Sequence, residues 1–235
     1  MPPAPNGSYS SALDQVVASA TAAYLVHFET AESESFMTRG TATVTMTIAA
    51  PGVVTWTAHG MLAGDAVKFS TTGALPTGVV ADTVYWLRTV DANTFTLAAT
   101  AALAADITTS GSQSGVQTAT CVSRITVSEA GTYNFNLSII ADSSGNDTMS
   151  AWVGLNETAF NGTSVARTTT TLGLTTNVEA VIAVLYVFSM AAGDTVRIYY
   201  CGSATNCKLN ATAAAASPTR PACPSVIVSI AKISR

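Results

Sequence analysis

Residues 123–139 read Ser-Arg-Ile-Thr-Val-Ser-Glu-Ala-Gly-Thr-Tyr-Asn-Phe-Asn-Leu-Ser-Ile. Tyr133, Phe135, Leu137 and Ile139 alternate with Asn134, Asn136 and Ser138. Successive side chains of a strand point to opposite faces, so this stretch predicts a strand with one buried face and one wet face. The texture continues downstream. Met149–Leu155 predicts a strand after the turn 142–148, and Thr195–Tyr200 and Ser225–Ile233 predict two more. The last apolar position lies within three residues of the C-terminal Arg235. The final strand is therefore expected inside a sheet, with no tail after it.

Val178–Met190 breaks the pattern of one wet face. Val181, Leu185 and Val187 occupy one row and Ile182, Val184, Tyr186 and Phe188 the other. A sandwich strand turns only one row inward. The second row is expected to be buried against another chain, so the stretch predicts an oligomer.

Upstream, 41–120 has shorter strands at Val53–Thr57, Asp65–Phe69, Thr83–Val90 and Thr94–Leu97. His59-Gly60, Gly64-Asp65, Thr77-Gly78 and Ala92-Asn93 punctuate them as turns. This block predicts a small β-barrel or sandwich inserted into the main domain. Residues 1–20 predict an arm: Pro2, Pro3 and Pro5 disfavour a helix at the start, and Ser11–Ala20 offers a short helix with Leu13, Val16, Val17 and Ala20 on one face. The expected organisation is an arm at 1–20, a main domain at 21–40 and 121–235, and an insert at 41–120.

Composition narrows the function. Charged residues are 10% of the chain, hydrophobic residues 48%, and mean hydropathy is +0.36. A monomer needs more charge to stay soluble, which again favours assembly. A net charge of −4 without a basic cluster leaves no electrostatic footprint for nucleic acid. The longest uncharged apolar run, Ala180–Gly193, is short of the ~20 residues of a spanning helix. The N-terminal Met-Pro-Pro-Ala-Pro-Asn-Gly lacks the basic region and apolar core of a secretory signal.

The quoted motifs carry two resemblances. Ser123–Phe135, with its Ala-Gly-Thr-Tyr turn, resembles the lead into the second strand of the C1q/tumour-necrosis-factor-like jelly roll. Ala151-Trp-Val-Gly-Leu-Asn156, Met190-Ala-Ala-Gly-Asp-Thr-Val196 and Pro224-Ser-Val-Ile-Val-Ser-Ile230 are similar to later strands and turns of that family. Val54–Phe69, Thr72–Gly78, Asn93–Leu97 and Thr109–Gly115 resemble a module of phage tail and capsid-associated proteins. Together these imply an all-β jelly-roll sandwich, packed as a trimer, with the β module projecting from it.

Catalytic chemistry finds no constellation. His27 and His59 fall in different blocks and are read as structural, and no nucleophile elbow or phosphate loop appears. No cofactor and no metal is expected. Asp142, Asn146 and Asp147 suit calcium by residue type but match no defined loop, so a solvated turn is the expectation. The sequons at Asn136, Asn156 and Asn161 read as Thr-rich strand composition. Trp56, Tyr85 and Trp86 are either a sugar-binding face or barrel core, with core favoured. Cys201 and Cys207 flank a turn and are disulfide candidates, the alternative being free thiols.

The resulting expectation is a structural component of a phage virion: a homotrimeric capsid decoration, cement or head-fibre protein. Its partners would be its own copies and the major capsid protein or other virion proteins. Neither nucleic acid nor membrane is expected as a partner. Trp152, Ile182, Val184, Tyr186 and Phe188 are the expected trimer contacts, and Leu13, Val16 and Val17 the expected virion anchor. The alternative is a tail-fibre or baseplate adhesin that binds host surface glycan. A secreted ligand is disfavoured by the N-terminus, and an enzyme is the least favoured class.

Overall fold

The computed structural model describes residues 6–158, 166–176 and 179–234. Pro2, Pro3, Pro5, Asn161 and Val178, all invoked above, lie outside them. Every regular element among the described residues is a strand, in keeping with the abundant Thr, Val and Ser. Chain order begins with β1 (Asn6–Ser11), β2 (Gln15–Val16), β3 (Tyr24–Leu25), β4 (Thr30–Glu34) and β5 (Met37–Thr38). It continues with β6 (Thr41–Met46), β7 (Val53–Thr55), β8 (Ala66–Thr71), β9 (Val84–Val90), β10 (Thr94–Ala98) and β11 (Gln117–Cys121). The remainder is β12 (Arg124–Val127), β13 (Gly131–Ser143), β14 (Thr148–Leu155), β15 (Ala166–Gly173), β16 (Ala180–Met190), β17 (Thr195–Gly202), β18 (Cys207–Leu209), β19 (Ala215–Ala216), β20 (Thr219–Arg220) and β21 (Val226–Ser234). Two compact units result among the described residues: 39–124 with 157–158 forms one, and 6–38, 125–156, 166–176 and 179–234 form the other.

Arg39–Arg124 folds as a closed barrel in the order β10-β7-β6-β11-β8-β9. Thr41, Thr43 and Thr45 lie on the exposed side of β6, while Val44 and Met46 join Val54, Phe69, Leu87 and Phe95 in the core. The alternation of threonine with apolar residues thus sets which face closes inward. Asp65 is fully buried, and a buried carboxylate needs donors. Its Oδ1 accepts from the Ser123 hydroxyl at 2.7 Å and its Oδ2 from the Leu62 amide at 2.8 Å. The Ser123 oxygen in turn accepts from the Ala66 amide at 2.8 Å. The carboxylate thereby ties the start of β8 to the segment after β11.

The other unit is a jelly-roll sandwich. One sheet runs β2-β18-β13-β21-β1-β4, with β16 also paired to β13, and the other runs β15-β14-β17-β12-β5, with β3 paired to β17. Successive strands such as β12, β13 and β14 alternate between the sheets. The buried rows are Tyr133, Phe135, Leu137 and Ile139 of β13, Met149, Ala151 and Val153 of β14, and Val226, Val228 and Ile230 of β21. The alternation quoted from 133–139 thus gives the inward row directly. β21 lies between β13 and β1, inside its sheet.

The N-terminal segment departs from the sequence expectation. Residues 6–11 form β1 and pair with both β21 and β4, and Tyr9 is fully buried. No helix forms over Ser11–Ala20. Gln15 is the physical reason: its side chain donates to the His27 carbonyl at 2.9 Å and accepts the His27 amide at 3.0 Å. Those bonds, with the β2–β18 pairing and the Tyr200 hydroxyl on the Val16 carbonyl at 3.1 Å, fix the segment extended. Residues 6–17 are thus part of the sandwich, not a free arm.

Candidate functional site

Among the described residues β16 is an edge strand: its backbone partner there is β13, over an eleven-residue register from Gly131↔Met190 to Ala141↔Ala180. Directly opposed residues share a face, so the register assigns both rows. Phe135 faces Tyr186 and Ile230, and Leu137 faces Val184 and Val228, on the inward side. Asn136 faces Leu185 and Ser229, and Ser138 faces Ala183 and Ile227, on the outward side.

The outward side is unusually apolar at the β16 edge. Val181 and Leu185 are each 58% exposed and Val187 is 55% exposed. Ile227 adds a fourth exposed apolar side chain two strands away. Between Leu185 and Ile227 the small residues Asn136, Ser138 and Ala183 leave a shallow groove of about 370 Å³. The rows Val187–Asn134–Ala231–Asn6, Leu185–Asn136–Ser229–Ser8 and Ala183–Ser138–Ile227–Ser10 contain no charged residue. A long, uncharged, apolar edge strand invites association unless something covers it.

This corrects the expected contact row. Ile182 and Tyr186 are 1% and 5% exposed and belong to the core. Val184 and Phe188 are half-buried in the same inward row, with Phe188 edge-on to Phe135 at 5.5 Å. Trp152 lies in the other sheet, half-buried and stacked on Tyr199 at 5.5 Å and 9°. The larger row filled the interior, and the smaller Val-Ala-Leu-Val row was left outside. The expected anchor residues separate too: Val17 is buried, whereas Leu13 and Val16 are exposed.

The remaining candidates have structural partners. His27 is buried, with Nδ1 against the Glu29 carboxylate. His59 is buried edge-on to Phe95. Asp147 accepts the hydroxyls of Ser143 at 2.7 Å and Ser203 at 3.1 Å, which holds its carboxyl below the usual range. Among the described residues no three His, Cys, Asp or Glu side chains gather as metal ligands. Tyr85 and Trp86 are neighbours on β9 and point to opposite faces. Tyr85 sits in the barrel core with its hydroxyl accepting the Val80 amide at 2.8 Å, and Trp56 packs against that core. Trp86 packs against Ala66, Val84 and Val122 instead, so the three aromatics form no common face.

The cysteine pair does not bond: none of the four cysteines forms a disulfide. Cys201 stands opposite Ser150 on the outward face of its sheet, with burial pushing its thiol up. Cys207 turns inward, with Sγ 4.0 Å from the Thr148 carbonyl. Strand alternation therefore aims the two thiols to different sides, which the spacing alone did not reveal.

No protein-family model and no curated protein matches the sequence. Solved structures similar to the chain include the globular domain of zebrafish complement 1qA protein, at 14% identity and TM-score 0.31, covering 73% of this chain and 98% of that one. Murine APRIL is similar at 10% identity and TM-score 0.31, over 72% and 99% of the two chains. Eiger TNF from S. frugiperda is similar at 12% identity and TM-score 0.30, over 72% and 91%. The jelly roll stands on the strand order and register given above.

Proposed function

We propose that the chain is a non-enzymatic structural protein of a bacteriophage particle, a homotrimeric decoration or cement protein on the capsid. The observation that carries the reading is the uncharged apolar face of β16 and β21, with Val181, Leu185, Val187 and Ile227 exposed. Two further copies are its occupants. Closed symmetric assembly buries such a face once per subunit and leaves no copy uncovered, and a chain with 10% charged residues has little else to keep it soluble. Placement in a phage rests on the motifs of the barrel at Val54–Phe69 and Thr109–Gly115. The barrel is a closed unit of its own and is the element available for display.

Immunogold labelling of virions tests the location, using an antibody raised against the barrel residues Arg39–Arg124. Label distributed over the head is expected. Label confined to the tail tip would replace decoration by an adhesin, and particles without label would overturn a virion role.

A further inference from the structure

His59 holds the turn before β8 by accepting a hydrogen bond. Its Nδ1 takes the Met61 amide proton at 2.9 Å. A backbone amide only donates, so Nδ1 carries no proton and the ring is the Nε2-protonated tautomer. The ring is 4% exposed, set edge-on to Phe95 at 5.4 Å and 90°, and lies beside the backbone of Thr94 and Asp91, whose carbonyls favour a charged ring less than burial disfavours it. The backbone around it has little preference of its own. Ala58 and Gly60 both take left-handed φ, 52° and 59°, and for alanine that conformation is unfavourable.

A second proton on this ring breaks the bond to Met61. It would sit on Nδ1 and face the Met61 N–H, donor against donor. The neighbouring charges are Arg124 and Asp91. Arg124 donates from Nη1 to the Gly60 carbonyl at 2.5 Å and repels a charged ring. Asp91 attracts one, but its carboxylate already accepts the Asn93 and Thr94 amides at 2.7 Å and the Thr94 hydroxyl at 2.8 Å. The Arg124 guanidinium also lies beside Gly40, so the turn is tied to the place where the chain enters and leaves the barrel.

We propose that His59 is an acid-operated latch: protonation of Nδ1 expels the Met61 amide and opens the Ala58–Leu62 turn at the root of the barrel. Burial, the largest cause, holds the ring's pKa below the ordinary 6.5. The sign follows. The open turn binds the proton at the ordinary value and the closed turn only at the lowered one. Closure is therefore complete above pH 6.5 and is lost as pH falls toward the lowered value.

Amide hydrogen exchange of the intact chain, corrected for intrinsic rates and followed at Met61, tests the latch. Protection is expected to hold above pH 6.5 and then to fall about tenfold per pH unit until the lowered value is reached. His59→Asn keeps an acceptor near the position of Nδ1 without the titrating ring, and its Met61 protection is expected to stay flat with pH. Parallel pH profiles in wild type and variant would overturn the proposal. So would a wild-type His59 ring that titrates while Met61 stays protected, a readout that stands even where the variant fails to fold.

Discussion

Leu185→Glu is expected to leave a folded monomer. Leu185 stands outward on β16 beside the groove floored by Asn136, Ser138 and Ala183, and 58% of it is exposed in the single chain. Glutamate at an exposed edge position fits the monomer, since charge on an edge strand is a common protection against pairing. In the proposed trimer the carboxylate has no cation facing it among the neighbouring rows. Burying an unpaired carboxylate costs about 3 kcal/mol or more, repeated in each copy. Light scattering is expected to give the 24.0 kDa mass of one chain, with unfolding of the monomer unaltered. Leu185→Met is expected to keep the assembly, since it conserves apolar volume. A Leu185→Glu protein that kept the wild-type mass would move the contact face elsewhere.

Phe135→Ala is expected to act on the fold and not on the face. Phe135 is 1% exposed at the centre of β13, between Tyr186 and Ile230 in the register and edge-on to Phe188. Removing a buried phenyl ring loses its transfer energy and leaves a cavity, a cost of about 3–5 kcal/mol. Domains of this size have total stabilities of about 5–15 kcal/mol. Thermal unfolding is expected to move down by on the order of 10 °C. An unchanged midpoint would mean that 133–139 is not the central inward row. The two substitutions separate the rows of the strand pair: one builds the sandwich, and the other is the contact face of the proposed assembly.

Much of this architecture is legible in the residues. The 133–139 alternation gives β13 and its inward row, and the turns at Gly64, Gly78 and Asn93 separate β7–β10 near their observed bounds. β6 is harder to read because Thr41, Thr43 and Thr45 look like loop composition, although Ala42, Val44 and Met46 alternate with them. The stretch 11–20 misleads for the opposite reason. Leu13, Val16 and Val17 fit a helical spacing, but β2 is two residues long and carries no period, and Gln15 decides its conformation through bonds to the backbone of His27, on a different segment. For 178–190 the pattern identifies two apolar rows but not their direction. That depends on which residue of β13 each one opposes, and register between strands more than thirty residues apart leaves no local trace. His59 is visible as a turn residue, while its acceptor role requires the position of the Met61 amide.

The most direct test of the assembly is the mass of the intact protein in solution. Size-exclusion chromatography with light scattering at micromolar concentration is predicted to give three times the 24.0 kDa chain mass. A single species of 24.0 kDa would contradict the reading of β16 and β21 as an interface between copies.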